Sequence, residues 1–233
     1  DLFTDDRMKL LSELLRPAIV ARKGRVLVGG DLKQIEARIT AWLAGDERIL
    51  KAFADGLDMY RVTAVMLFGG TYEAVTKLRR QAAKPADLAL GFNGGAGALL
   101  KMAVTHGVHL TEDQAEGMKV QWRLTHPKYQ TMWKAVESAA RAAVTCPGQP
   151  FRVAVKPDVD YAMLDGHLDC RLPSGRLLVY RDVRFATKMM PWGEPGTVLE
   201  ASGIDQLTKR YTRYELSRVV MVENLVQAIA ADV

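Results

Sequence analysis

Cysteine is nearly absent: Cys146 and Cys170 are the only two in 233 residues. Two thiols cannot build a four-thiolate zinc site or a disulfide scaffold, so a reducing compartment is expected. No apolar run approaches the roughly 20 residues of a membrane span, and no membrane partner is expected. The first residues, DLFTDDRMKLL, lack the charged-then-apolar layout of a signal peptide. They also lack an initiator Met, which leads us to expect a piece of a longer chain. The four histidines form no i, i+4 zinc pair, and His106 and His109 are expected to flank a surface turn. GFNGGAG (Gly91 to Gly97) has no following Gly-Lys-Ser/Thr, so it is not a phosphate loop. No strand precedes it, which excludes a dinucleotide fingerprint as well. There is no internal repeat and no low-complexity tract.

A hydrophobic content of 48% is enough for a sizeable core in one or two domains. The formal charge of +5 suits an anionic partner such as nucleic acid, but an ordinary domain with a basic face accounts for it equally well.

Spacing and punctuation predict a helix over Asp5–Leu15, capped by Thr4 or Asp5 and closed by Pro17. RVLVGG follows as a short strand covered on both faces. Helices are expected over Lys33–Leu43, Glu47–Phe53, Asp58–Phe68 and Glu73–Leu90, the last interrupted by Pro85. GFNGGAG reads as a flexible turn, followed by a helix over Ala98–Thr105. Two more helices are expected in Thr111–Val144, split near His126-Pro127. Residues Phe151 to Thr187 alternate as two or three antiparallel strands turning at LPSGR, and Ser202–Val233 reads as helical. The fold class is therefore α+β and helix-rich.

Two stretches carry candidate chemistry. Asp31 stands where VLVGG meets a helix, and an acid beyond a strand end is placed to hold a divalent cation through oxygen. The same residue type would serve as a helix N-cap, and on residue chemistry the cap is favoured. In KLRRQAAKPADLALGF, Arg80, Lys84, Leu88 and Phe92 recur every four residues, on one slowly drifting helix face. Two cations followed by an aliphatic and an aromatic surface would suit a triphosphate and a stacked base. An amphipathic helix with a solvated basic end has the same pattern.

DLKQIEAR followed by AWLAGDERIL resembles motif A of the family A DNA polymerases, Asp-x-Ser-Gln-Ile-Glu-x-Arg. Asp31, Gln34, Ile35, Glu36 and Arg38 match, with Lys33 in place of Ser. GLDMY with AVMLFG is similar to the next family segment, with Tyr60 where many members have His. RRQAAKPADLALGF resembles motif B, Arg-x-x-x-Lys with an aromatic eight residues on, in its bacteriophage-type form. LPSGRLLVY and VENLVQAIAADV also look like that subgroup.

The resemblance implies a polymerase palm of short strands, helices and a β-hairpin region, with helical fingers. Residues 1–70 would be the first part of the palm, 71–145 the fingers, 146–200 a β insertion and 201–233 a palm helix. The implied reaction adds dNTP to a primer 3′ end on a DNA template, with two Mg²⁺ ions in the complete enzyme. Asp31 and the Leu32 carbonyl would hold metal, while Arg80 and Lys84 would neutralise the triphosphate. Gln34, Ile35, Glu36, Tyr60, Leu88 and Phe92 would line the nucleotide, Glu36 crowding the sugar 2′ position. Gln227, Asn224 and Arg38 would face DNA. A monomer in the cytoplasm (the host's, if viral) is implied, with thumb and motif C segments outside this sequence.

The sequence departs from the family at three points. Phe92 replaces the usual Tyr. Pro85 removes the amide that would bond back to Gln81, and should kink or restart the helix. No His-Asp-Glu of motif C follows Asp232, so this piece alone is expected to be inactive. The alternative is a non-catalytic or degenerate module that binds DNA or dNTP.

Overall fold

A computed structural model describes residues 7–204 and 208–233. The chain divides into two compact units, residues 1–33 and 34–233.

The first unit holds helix α1 (Arg7–Ala18) and an irregular stretch after it. Pro17 lies inside α1 rather than closing it, and the expected caps Thr4 and Asp5 fall outside the described residues. The expected strand at RVLVGG is not formed. Val26, Leu27 and Val28 are 84%, 61% and 92% exposed, with no strand partner among the described residues. Apolar β-type residues specify a strand only where a neighbouring strand takes up their backbone groups.

The second unit begins with helices α2 (Ile35–Ala44), α3 (Glu47–Ala54), α4 (Met59–Phe68) and α5 (Lys77–Leu90). Helices α6 (Ala96–Thr105), α7 (Glu112–Thr125) and α8 (Pro127–Thr145) follow. Local chemistry explains most boundaries. Asp46, Asp58, Thr76 and Thr111 accept hydrogen bonds from first-turn amides of α3, α4, α5 and α7. Thr111 and Gln114 complete a reciprocal capping box. Gly45 ends α2 in the left-handed region, at φ 64°. Pro127 opens α8, where its missing amide costs no helical bond.

Helix α5 is unbroken, against the expectation that Pro85 would interrupt it. The ring removes a donor to the Gln81 carbonyl, but it is buried with Ala83, Ala86, Ala89 and Leu90. That packed face holds the helix together across the proline.

Six antiparallel strands follow in simple sequence order, more than the two or three expected. They are β1 (Pro150–Arg152), β2 (Asp160–Leu164), β3 (His167–Arg171), β4 (Leu177–Met189), β5 (Pro195–Ile204) and β6 (Tyr211–Glu215). The first part of β4 pairs with β3 and the remainder with β5. The reading of Ser202–Val233 as helix is corrected: Ser202 lies in β5, β6 follows, and only α9 (Arg218–Ala231) is helical. YTR and YEL alternate without a turn signal to separate them from the helix, so cross-strand pairing with β5 decides the state.

One core joins helices and sheet. Val136, Ala140 and Ala143 of α8 are fully buried, together with Val222, Leu225 and Val226 of α9 and Tyr161, Leu168 and Cys170 of β2 and β3. Glu137 pairs with Arg141 within α8 and with Arg218 across to the start of α9. The Pro173–Gly175 turn is anchored to the end of α9, where Ser174 Oγ and Arg176 Nε reach Asp232 at 2.6 and 2.7 Å.

Candidate anion-binding site

The site is built by α4 and α5, which pack side by side. Asp58 stands immediately before α4, and Arg80 lies one turn into α5. Arg80 Nε donates to Asp58 Oδ2 at 2.6 Å. The other Asp58 oxygen accepts from the Tyr60 amide at 3.0 Å, and the Asp58 amide donates to the Tyr72 hydroxyl at 2.9 Å. Burial opposes ionisation of Asp58, yet the hydrogen bond and charge of Arg80 outweigh it. With the Arg61 and Tyr60 amides they hold the carboxyl below its usual range.

Tyr60 is the common surface for both cations. The Arg80 guanidinium sits 5.2 Å from its ring centroid, and Lys84 Nζ sits 5.9 Å away. Arg61 packs similarly on Tyr72, at 5.5 Å. Three of the residues named from sequence, Tyr60, Arg80 and Lys84, are thus brought together.

Deeper on α5, Asp87 Oδ1 accepts from the Thr63 hydroxyl of α4 at 3.1 Å. Burial pushes the Asp87 carboxyl up to about 6, with the Thr63 hydrogen bond pulling the other way. Asp58 and Asp87 lie inside the GLDMY and motif B-like segments, but neither they nor Tyr72 carry a sequence signal for these pairings. Their partners lie 22, 24 and 14 residues away in the chain, and no periodicity announces such pairings.

Leu88 is partly exposed on α5. Phe92 is not on the helix face as expected, because α5 ends at Leu90 and Phe92 falls in the following turn. Its ring is half-buried against the core. That turn is not free either. Trp133 Nε1 donates to the Gly91 carbonyl at 3.0 Å, and Arg123 reaches the Gly94 carbonyl at 3.3 Å.

Of the motif A residues, Asp31 and Leu32 are exposed in the first unit. Asp31 is not the N-cap of α2: Gln34 holds that position, at φ 55°, and makes no side-chain cap bond. Ile35 and Glu36 form the first turn of α2, and Arg38 lies 4.4 Å from the Phe53 ring centroid. On α9, Gln227 is exposed and its amide reaches Glu223 at 3.3 Å, while the Asn224 side chain faces the buried Tyr180 hydroxyl. Among the described residues no three His, Cys, Asp or Glu side chains gather as a metal site. One carboxylate and one carbonyl fall short of the roughly six oxygens of a magnesium ion, so this donor set alone does not fit one.

Two cations over one aromatic ring, steadied by a carboxylate, present a cationic face with the donor chemistry of phosphate recognition. Comparison with known proteins then gives the family. A model of DNA polymerase family A matches residues 7–147, and the chain belongs to that family. It is 32% identical to the DNA polymerase of Bacillus phage SP02 over 231 residues, 96% of this chain and 34% of that protein. It is 43% identical to the thermostable DNA polymerase I of Thermus aquaticus over 74 residues, 32% of this chain and 9% of that protein. Against DNA polymerase I of Pseudomonas aeruginosa the identity is 40% over 101 residues, 43% of this chain and 11% of that protein. The chain thus spans about a third, or less, of the length of these relatives. No described helix is long and apolar enough to cross a membrane.

Proposed function

We propose that this chain supplies the nucleotide-binding part of a DNA-directed DNA polymerase, which adds dNTP to a primer 3′ end on a DNA template. The observation that carries the reading is the pair of cations, Arg80 and Lys84, converging on the Tyr60 ring from one face of α5. The triphosphate would lie along these cations and meet donors fixed before it arrives, stabilising charge as it builds on the leaving pyrophosphate. Tyr60 would hold both side chains at the phosphate end, while Leu88 and Phe92 would pack towards the base pair.

Glu36, with Gln34 and Ile35, would stand at the sugar. Arg38, Asn224 and Gln227 would face the primer–template. In this reading residues 1–70 begin the palm, 71–145 are the helical fingers, the β segment is an insertion and α9 is a palm helix, all in a monomer acting in the cytoplasm. Mg²⁺ would supply charge neutralisation at the reacting phosphate. Asp31 and the Leu32 carbonyl would be contributors to its site, and carboxylates beyond those gathered by the described residues would be needed.

The absence of an acidic cluster among the described residues favours one second reading, a module that binds dNTP without turning it over. Titration of Mg·dNTP onto this chain, with Arg80→Ala and Lys84→Ala beside the parent, tests the binding face. Each variant is expected to bind more weakly, and binding unchanged in both would refute it. Primer extension by the same protein separates the two readings: extension supports a working polymerase site, and binding without extension supports the module.

A further inference from the structure

The β4–β6 region contributes nothing to the anion-binding site, yet it displays a pattern of its own. Asp182 adopts φ 51° within a register shift between Arg181 and Arg184. Asp182 and Val183 of β4 therefore stand against Ala201 alone of β5, and Arg181 opposite Ser202 and Arg184 opposite Glu200 emerge on the same side. Without the bulge, alternation would send these two arginines to opposite faces. Arg213 of β6 also pairs with Ser202, so it joins them, and Lys188 follows on that side two pairs beyond Ala186. All four cations are exposed. The acids on this face of the paired strands are Glu200 and Glu215, which pair with Arg184 and Lys188. The opposite side carries Leu199 and Ala201, which are buried.

At the turn joining β4 to β5, Trp192 is 67% exposed and Met189 beside it is 65% exposed. A large aromatic ring left in water at the tip of a cation-bearing hairpin is unusual for a protein with a core to hide it in.

We infer that the β4–β5 hairpin, with Arg213 of β6, is a second nucleic-acid contact. Its cationic face would follow the phosphates of a single strand, and Trp192 would stack on an unpaired base. The chemistry is that of single-strand binding surfaces, where cations track the backbone and an aromatic ring takes any base without reading sequence. The inference rests on the proposed function only for the choice of DNA as the polyanion.

The test is binding of a 16-nucleotide oligothymidylate to the whole chain, followed by tryptophan emission at several salt concentrations. Trp122 and Trp133 are buried and Trp42 is half-buried, so Trp192 is the indole most open to the oligonucleotide. The parent is expected to bind with quenching. Trp192→Ala should weaken binding by about tenfold, and Trp192→Phe should keep most of the affinity while losing most of the quench. Arg181→Ala with Arg184→Ala should lower the slope of log affinity against log salt by about 1. Parent-like affinity and salt slope in all of these variants would overturn the inference, as would a parent that binds no oligonucleotide. Mg·dNTP binding measured on the same proteins would then still stand or fall with Arg80 and Lys84 alone. If Trp192→Ala abolishes self-association of the chain and leaves oligonucleotide binding intact, the tip is a protein contact and the inference is overturned.

Discussion

The Arg80 guanidinium is held by Asp58, Nε to Oδ2 at 2.6 Å, across the junction of α4 and α5. Asp58 does three things at once: its carboxylate caps α4 and occupies one edge of the cation proposed to meet a triphosphate, while its backbone amide donates to the Tyr72 hydroxyl. Arg80 is therefore presented to solvent already partly neutralised.

Replacement of Asp58 by Asn separates these roles, because Asn is as good an N-cap as Asp but carries no charge. The side chains are 37% and 32% exposed, so the ion pair is worth no more than about 1 kcal/mol to folding. Against that, a lone charge about 6 Å from a magnesium-bound triphosphate of charge near −2 contributes roughly 1.4 kcal/mol in water before salt screening. The electrostatic gain outweighs the loss of positioning. We expect Asp58→Asn to leave the thermal midpoint nearly unchanged and to tighten Mg·dNTP binding several-fold at low salt. Weaker binding in the titration would show that Asp58 acts by holding Arg80 in place.

Asp87 gives a pH dependence with a definite sign. Its carboxyl is pushed up to about 6 in the folded protein, above the 3.8 of an ordinary Asp. The folded state thus holds its proton more tightly. The stability associated with that proton is fully present below about pH 4 and is lost as pH rises through 6, with an upper limit of about 3 kcal/mol. Asp87→Asn keeps an acceptor for Thr63 and removes the ionisation. It should be more stable than the parent in urea melts at pH 7 to 8, with the advantage gone by pH 4. A constant difference across that range would place the titration elsewhere.

How much of this was legible in the sequence depends on the range of the forces involved. Capping residues, Gly45, Pro127 and the LPSGR turn act within a few positions, and the helices they bound lie close to where spacing put them. The strand expected at Val26–Val28 failed because a strand is defined by its neighbour. The sheet was underestimated for the same reason, since β6 exists through pairing with β5. Arg80 and Lys84 could be named from four-residue spacing and Tyr60 from the family resemblance, but the Asp58 that organises Arg80 could not. Phe92 was misplaced because four-residue spacing was carried past the end of α5.

Glu36 tests the sugar assignment. It lies half-buried in the first turn of α2, with its carbonyl accepting from Thr40 Oγ1 at 2.7 Å. That bond is made by the backbone, so truncating the side chain leaves it intact. In the full-length polymerase we expect Glu36→Ala to raise rNTP incorporation relative to dNTP by one to two orders of magnitude, given about 1–3 kcal/mol for one displaced steric contact. The measurement is the ratio of kcat/KM values for the two sugars, and an unchanged ratio removes Glu36 from the sugar site.

The turn after α5 looked flexible because it contains three glycines within five residues, yet its glycines do different things. A Cβ on Gly94 would lie 2.0 Å from the Ala89 carbonyl oxygen and 3.3 Å from the Ala98 Cβ, whereas one on Gly95 would meet nothing within 4 Å. Gly94 is therefore required by the close approach of its backbone to the end of α5, the helix that carries Arg80 and Lys84, and not by mobility. The obstructing atom belongs to the main chain and cannot turn aside, so relief must come from shifting the turn itself, which Trp133 and Arg123 hold through the Gly91 and Gly94 carbonyls. We expect Gly94→Ala to destabilise the protein by roughly 1–3 kcal/mol, as overpacking does. Gly95→Ala should stay within about 0.5 kcal/mol of the parent, as for a surface change that meets no neighbour. Paired urea melts decide it: equal midpoints for the two variants would mean that the turn relaxes freely and that its contacts do not fix the end of α5.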